Sequence, residues 1–436
     1  MKYHAATISR ATLAILTGMF ILLTPNAFAS QFTVLHNFLA KPAALPEAGL
    51  IIGPDGGFYG TASEGAGRCP PNTCGSVFEI KQTSTGWQYQ VIHNFHGPQH
   101  DGENPAGPLL FDSVGNLYGT TLSDGDSNTC SSQHHSDCGT VFKLSRTSNG
   151  GWAETILYRF THGSDGSYPI GNLLLDSAGN LYGTTSGGGS FKGNLCSTFG
   201  CGVVYELSPG ASGWTETVLH TFTGGSDGFE PMALTPDSSG NFLGVAGFGG
   251  TVNSSCGRAG CGILFKLTPG AGGWSLSVIY SFSGGSDGAN PKAPLVFGMQ
   301  GNLFGTAAGG GSVQCNGGCG TVFELSPNGS GWNFSDVYSF SGPDGEYPHG
   351  ILFDAAGDLF GAAYGGDPNC LSDGCGVLFK LVPDSNNWTE TVLYKFKGTT
   401  DGEFPSAVIM DDAGNLFGTA QGGGAHNLGT IFEFAP

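Results

Sequence analysis

The sequence predicts an all-β, seven-bladed propeller with four antiparallel strands per blade, on three observations. First, a ten-residue segment recurs seven times with drift, for example as "DSAGNLYGTT" at 176–185. Its glycines fall at Gly60, Gly119, Gly183, Gly244, Gly305, Gly361 and Gly418, at intervals of 56 to 64 residues. A period of that size marks an array of supersecondary units. Second, each unit holds four short β-branched or aromatic runs bounded by Gly, Pro, Ser or Asn, and no segment keeps a capped helical period. In the third unit these runs are "LLLD" from 173, "LYGTT" after the "SAGN" turn, "GVVYELS" (202–208) and "WTETVLHTF" (214–222).

The third observation is the mismatch of the chain ends. Six units carry a Trp six residues before an aromatic or imidazole side chain: Trp87/His93, Trp152/Tyr158, Trp214/His220, Trp274/Tyr280, Trp332/Tyr338 and Trp388/Tyr394. The last unit stops after its third strand, "GTIFEF" (429–434), while "FTVLHNF" (32–38) is a fourth strand with nothing before it. Pairing the two closes a ring of seven blades and removes the exposed edges of an open array.

Residues 1–29 read as an export signal. Lys2 and Arg10 form a basic start, Ala11 to Leu23 an apolar stretch, and "AFA" (27–29) a small-residue cleavage site. The domain organisation is therefore a signal peptide (1–29) and one propeller domain (30–436), with no membrane span after cleavage. The expected location is secreted or periplasmic.

The whole chain has 15 Lys and Arg against 34 Asp and Glu, a net charge of −19. The first 29 residues hold two of the cations and no acid, so the remainder stands at −21. Such a surface repels nucleic acid and anionic lipid. Charged residues make up only 11 % of the chain, and the 77 Gly and 23 Pro recur at fixed places in each unit, so they read as turns.

The recurring pattern "GNLYGTT…G…GVVYEL…WTETVLHTF…DG" resembles the GloVer tandem-repeat family, exported bacterial proteins of the choice-of-anchor type. The resemblance covers residues 31–436 and repeats seven times. It implies a propeller-like exported protein and brings no established activity or active-site residues. Family members often carry a C-terminal sorting or anchoring segment. This chain departs from that by ending at Pro436 after a third strand, which implies a free soluble product.

Strand connectivity sorts the loops onto two faces. The "DSAGN" turns and "SPGASG" loops share one. The cysteine loops and the Asp-Gly connections between blades share the other, the Cys/Asp face, whose longer loops are where binding is expected. Twelve cysteines form six local pairs, one in each of the first six blades: Cys69/Cys74, Cys130/Cys138, Cys196/Cys201, Cys256/Cys261, Cys315/Cys319 and Cys370/Cys375. In an exported chain these read as disulfides. Metal binding through them is the less suitable reading, since each loop offers two sulfurs and no consistent partner ligands.

The interblade connection reads "DGxxP" at Asp101, Asp165, Asp227, Asp287, Asp344 and Asp401. Asp-Gly suits a tight turn, with the carboxylate accepting backbone N–H bonds. The same six carboxylates are the candidate ligand-binding residues, as a ring around one channel mouth able to collect Ca²⁺ or a cationic or polyhydroxyl ligand. The "DxxGN" motifs (Asp112/Asn116, Asp176/Asn180, Asp237/Asn241, Asp411/Asn415) read as hairpin turns. The row His36, His93, Tyr158, His220, Tyr280, Tyr338 and Tyr394 reads as blade-to-blade packing near the rim, with hydrogen-bonded polar tips. The loop 122–138, with Asp124, Asp126, His134, His135 and Asp137, is a candidate open metal site. Glu79, Glu206, Glu324 and Glu433 exchange with Lys143, Lys266 and Lys380 at one third-strand position, which suggests exposure.

No nucleophile elbow, phosphate-cradling loop or zincin motif is present, and no catalytic residue is assigned. Departures from sevenfold symmetry lie mostly in loop lengths, whereas chemistry needs asymmetric side chains. The expected function is that of an exported, non-enzymatic binding or scaffolding module for a glycan or envelope protein. The alternative is a metal-assisted lyase or lactonase of the propeller type, acting at the channel mouth.

Overall fold

The computed structural model describes residues 30–41, 43–65, 74–97, 101–123, 138–192, 195–329, 331–366, 374–385 and 387–436. The expected signal peptide (1–29), the candidate metal ligands Asp124, Asp126, His134, His135 and Asp137, and Cys69, Cys130 and Cys370 lie outside the described residues. The strands form seven antiparallel sheets arranged as a seven-bladed propeller. Blade three is representative, with strands Leu174–Leu175, Leu181–Thr185, Val203–Gly210 and Gly213–Thr221 in that spatial order. The N-terminal strand Gln31–Asn37 pairs antiparallel with Thr430–Ala435, so it supplies the fourth strand of blade seven and closes the ring.

Each second strand is buried through its five-residue motif, and the glycine in it lets a third-strand ring lie across the backbone. An added Cβ at Gly60 would sit 2.6 Å from Phe78, and one at Gly361 would sit 2.5 Å from Phe379. The glycine periodicity is thus the imprint of a ring stacked on a backbone. Seven apolar clusters form the core, and each joins neighbouring blades. One of them unites Phe38, Phe417 and Ile431 with Leu50, Phe58 and Phe78 across the closure. Stability is therefore distributed over blade-to-blade contacts.

Every third-to-fourth strand pairing carries a β-bulge at the same place. The extra residue is Leu35, Ile92, Leu157, Leu219, Ile279, Val337 or Leu393, and each packs into a core cluster. A bulge re-aims the side chains that follow it. The next residue in each blade is the imidazole or phenol of the recurring row, and two residues further comes a fully buried Phe, from Phe38 to Phe396.

Disulfides Cys196–Cys201, Cys256–Cys261 and Cys315–Cys319 are formed as expected. Cys74, Cys138 and Cys375 are disulfide-bonded as well. Loops this short gain about 2 kcal/mol each in the chain-entropy account. The bridges fit an oxidising, extracytoplasmic setting. Among the described residues no helix is long and apolar enough to cross a membrane.

Candidate functional site

The cysteine loops and interblade connections do share a face: an added Cβ at Gly284 would touch Cys256 Sγ at 2.4 Å, and one at Gly224 would touch Cys196 Sγ at 2.7 Å. Each predicted Asp is held within its own connection. Asp165 accepts from the Thr161 N–H (2.9 Å), the Thr161 hydroxyl (2.7 Å) and the Tyr158 phenol (3.2 Å). Asp287 repeats this with Ser283 and Tyr280, and Asp344 with Ser341 and Tyr338. Asp401 takes the Lys397 N–H and the Tyr394 phenol. Asp101 takes the His96 N–H at 2.7 Å, and Asp227 the Thr223 N–H at 3.0 Å, with His93 and His220 beside them. Burial would raise the Asp227 carboxyl, but the contacts from His220 and Thr223 outweigh it and leave the group below its ordinary value. Among the described residues no three of these aspartates come within ligand distance of one another.

The rim row and the Asp motif are therefore one device: the fourth-strand tip ties down the connection that follows it. Blade seven confirms the rule by exception. Its connection has no Asp, and His36 stacks on Tyr89 instead, with centroids 3.8 Å apart. Turn aspartates behave similarly on the other face, where Asp112 accepts from the Val114 and Asn116 N–H groups and from the Tyr118 phenol. The exposure expected for the exchanging third-strand position fails at Glu79. It is 4 % exposed, takes the Gln90 amide, and lies 3.9 Å from Arg146 of the next blade.

Across the outer seams the row residue faces the side chain two positions after the Trp of the neighbouring blade, or after Ser30, which takes the place of the Trp in blade seven. Tyr280 stacks on Phe334 at 4.4 Å and Tyr394 on Phe32 at 3.9 Å. Three seams place a carboxyl there instead: Glu154, Glu216 and Glu390. Burial, reinforced by Asp165 and Asp344 respectively, pushes Glu216 and Glu390 up to about 7. The folded state therefore keeps protons that the unfolded chain, with glutamates near 4.5, has already released. This contribution is complete below the unfolded value and is lost as pH rises through the folded one. Melting temperature should fall between about pH 5 and pH 8, and the Glu216→Gln/Glu390→Gln variant should flatten that slope. An unchanged slope in the variant would show that these groups do not titrate as placed.

The feature that sequence reasoning missed is the residue before each connection proline. Leu45, Asn104, Tyr168, Glu230, Asn290, Tyr347 and Phe404 all have φ between 54° and 59°. Bulky residues rarely adopt such angles, and a following proline favours extended backbone instead. Strain of this kind costs about 1–3 kcal/mol per residue and persists only where the surroundings over-determine it. Here the N–H groups of Asn104, Glu230, Asn290, Tyr347 and Phe404 donate to Cys74, Cys201, Cys261, Cys319 and Cys375 of the preceding blade, at 2.8–3.2 Å. The carbonyls of Leu45, Asn104 and Tyr168 accept from Ser63, Leu122 and Ser186 in their own blades. The fold dictates the backbone angle, so the side chain is free to vary. It varies from Leu to Glu to Tyr, against the glycine or asparagine that would be easiest there.

Two of these residues, Asn290 and Tyr347, line a cavity between blades five and six. This pocket of about 430 Å³ is lined by Asn290, Lys292, Ala308, Gly309, Tyr347, His349 and Tyr364. Tyr364 stacks on Phe404 at 4.4 Å and its hydroxyl donates to Gln421 at 2.9 Å. Burial and the Lys292 charge push His349 down to about 4, so it is a neutral imidazole at neutral pH. The equivalent positions after the proline in blades two and three are Ala106 and Ile170. Symmetry is thus broken by the side chains around this pocket as well as by loop length.

The Gloeobacter/Verrucomicrobia repeat matches residues 16–256 and 250–436. The chain belongs to that family. No curated protein matches this Gloeobacter/Verrucomicrobia repeat protein. Among solved structures it is similar to the extracellular domain of a hybrid two component system from B. thetaiotaomicron, at TM-score 0.55 and 10 % identity, covering 93 % of this chain and 40 % of that one. It is also similar to a glucose dehydrogenase-type oxidoreductase from Thermus thermophilus, at TM-score 0.45 and 14 % identity, covering 93 % and 100 %. A 6-phosphogluconolactonase from Bacteroides uniformis aligns at TM-score 0.48 and 13 % identity, covering 83 % and 95 %. At these identities the likeness concerns the fold alone.

Proposed function

We propose that this repeat protein is an exported, non-enzymatic binding module, secreted or periplasmic, whose ligand is a glycan held in the pocket between blades five and six. The observation that carries the reading is the pocket in which the strained Tyr347 joins His349, Tyr364, Asn290 and Lys292. Apolar ring faces with a few fixed polar groups are the usual composition of a small-ligand site, and about 430 Å³ lies inside the customary range of roughly 300–1,000 Å³. A sugar offers the matching pair of surfaces, a C–H face for the aromatic rings and hydroxyls for the amide, imidazole and ammonium. The disulfides support export, and the acidic surface disfavours nucleic acid and anionic membrane.

A glycan array followed by calorimetry tests this. Tyr364→Ala should weaken the best array ligand at least about tenfold, which is about 1.4 kcal/mol. Tyr347→Gly should weaken binding while leaving the melting temperature unchanged or raised, because glycine relieves the left-handed backbone. An array without ligands, or affinity indifferent to both changes, would remove the reading. Cleavage of a bound glycan or lactone in the same samples would instead assign the lyase or lactonase alternative.

A further inference from the structure

We propose that the outer seam between blades one and two binds a divalent transition-metal ion of the zinc class through His93, Asp101 and Glu154. His93 Nε2 lies 3.3 Å from Asp101 Oδ2 and 3.9 Å from Glu154 Oε2. All three ligand atoms fall within 4.8 Å of one another. Tetrahedral zinc with bonds of about 2.0–2.2 Å sets its ligand atoms roughly 3.3–3.6 Å apart, so small side-chain rotations complete the site. One imidazole with two carboxylates is a borderline N/O donor set. It offers far too few oxygens for calcium, which takes six to eight.

The groups are held in place before any ion arrives. The bulge at Ile92 aims His93 into the seam, and its ring packs edge-on against Phe95 at 4.8 Å. Asp101 is fixed by the His96 N–H and is 5 % exposed. Glu154 comes from the facing strand of blade two. Glu154 Oε1 is buried without a hydrogen-bond partner, as Glu216 Oε1 and Glu390 Oε1 are at their own seams, and the buried His93 Nε2 contacts both carboxyls, at 3.3 Å and 3.9 Å. Two carboxyl groups and an imidazole thus converge on one point of the seam. His96, whose Nδ1 is 3.1 Å from Asp101 Oδ2 and whose side chain is 60 % exposed, stands beside the cluster as a candidate fourth ligand.

The other seams serve as internal controls. Tyr158/Asp165/Glu216 and Tyr338/Asp344/Glu390 keep both carboxyls but replace the imidazole with a phenol that donates to the Asp. His220/Asp227 keeps the imidazole, but the position equivalent to Glu154 is Leu276. Among the described residues the three ligand types meet only at the first seam. An ion there joins blade one to blade two and should stabilise the folded ring by mass action.

The test uses the full-length, tag-free protein stripped with chelator and titrated separately with Zn²⁺ and Ca²⁺ by calorimetry and thermal shift. About one equivalent of Zn²⁺ should bind, with a raised melting temperature. His93→Tyr and Glu154→Leu install side chains found at equivalent seams, so both should fold, and each should weaken Zn²⁺ at least about tenfold. Failure of the wild type to bind Zn²⁺, a preference for Ca²⁺, or Zn²⁺ affinity surviving both changes would overturn the proposal.

Discussion

A chain that starts at Leu39 should lose cooperative unfolding and aggregate at concentrations where the full-length protein stays dispersed. The segment removed contains the strand Gln31–Asn37, which is the outer partner of Thr430–Ala435. Without it, blade seven presents an unpaired edge, the surface on which strands of other chains add. The loss also empties part of the core. Phe38 is fully buried against Phe78, with centroids 5.4 Å apart, and Phe32 stacks on Tyr394 and Phe432. Deleting a buried Phe side chain alone costs about 3–5 kcal/mol, a large share of the net stability of most domains. Asn37 is lost as well, and with it the acceptor for the Ala425 N–H at 2.8 Å. Phe32→Ala should give a milder version, a lowered melting temperature with the ring intact. Size-exclusion chromatography and circular dichroism read both. A truncated chain that melts cooperatively at the full-length temperature would mean that closure does not depend on this strand.

Gly244→Ala should destabilise the protein by about 1–3 kcal/mol, the usual cost of forcing extra volume into a packed core. The added Cβ would lie 2.2 Å from Phe265 Cζ, and Phe265 is fully buried with no room to retreat. The ring edge is the obstacle, so shortening it should relieve the clash. Phe265→Leu alone leaves a cavity and is destabilising, but the Gly244→Ala/Phe265→Leu pair should lose less than the two single changes together. Contacting residues typically show coupling of about 0.5–3 kcal/mol in such cycles. Denaturant unfolding of the four proteins measures it. Strict additivity would show that the glycine is kept for a reason other than this ring.

Much of the architecture was legible because it repeats. Seven copies of one motif expose the period, a lone fourth strand before the first unit and a missing one after the last expose the closure, and a cysteine pair inside each short loop leaves few other partners. The tips of Tyr158, Tyr280, Tyr338 and Tyr394 were expected to be hydrogen-bonded, and they are. Their partner was not evident, since the Asp of the next connection could equally have turned toward the channel. Only the bulge ahead of each tip, invisible as a pattern, sends the side chain toward that Asp.

The candidate sites were less legible for the same reason. Tyr347, His349 and Tyr364 occupy three different strand positions in blade six, and Asn290 and Lys292 belong to blade five. His93 and Glu154 are 61 positions apart. Local sequence determined the strands, the turns, the number of blades and the joining of the two chain ends, because hydrophobic alternation, turn chemistry and repetition act over a few residues at a time. The tertiary structure decided which side chains of neighbouring blades face one another. That depends on where each strand bulges and how successive sheets twist about the axis, and both are settled only when the whole ring packs.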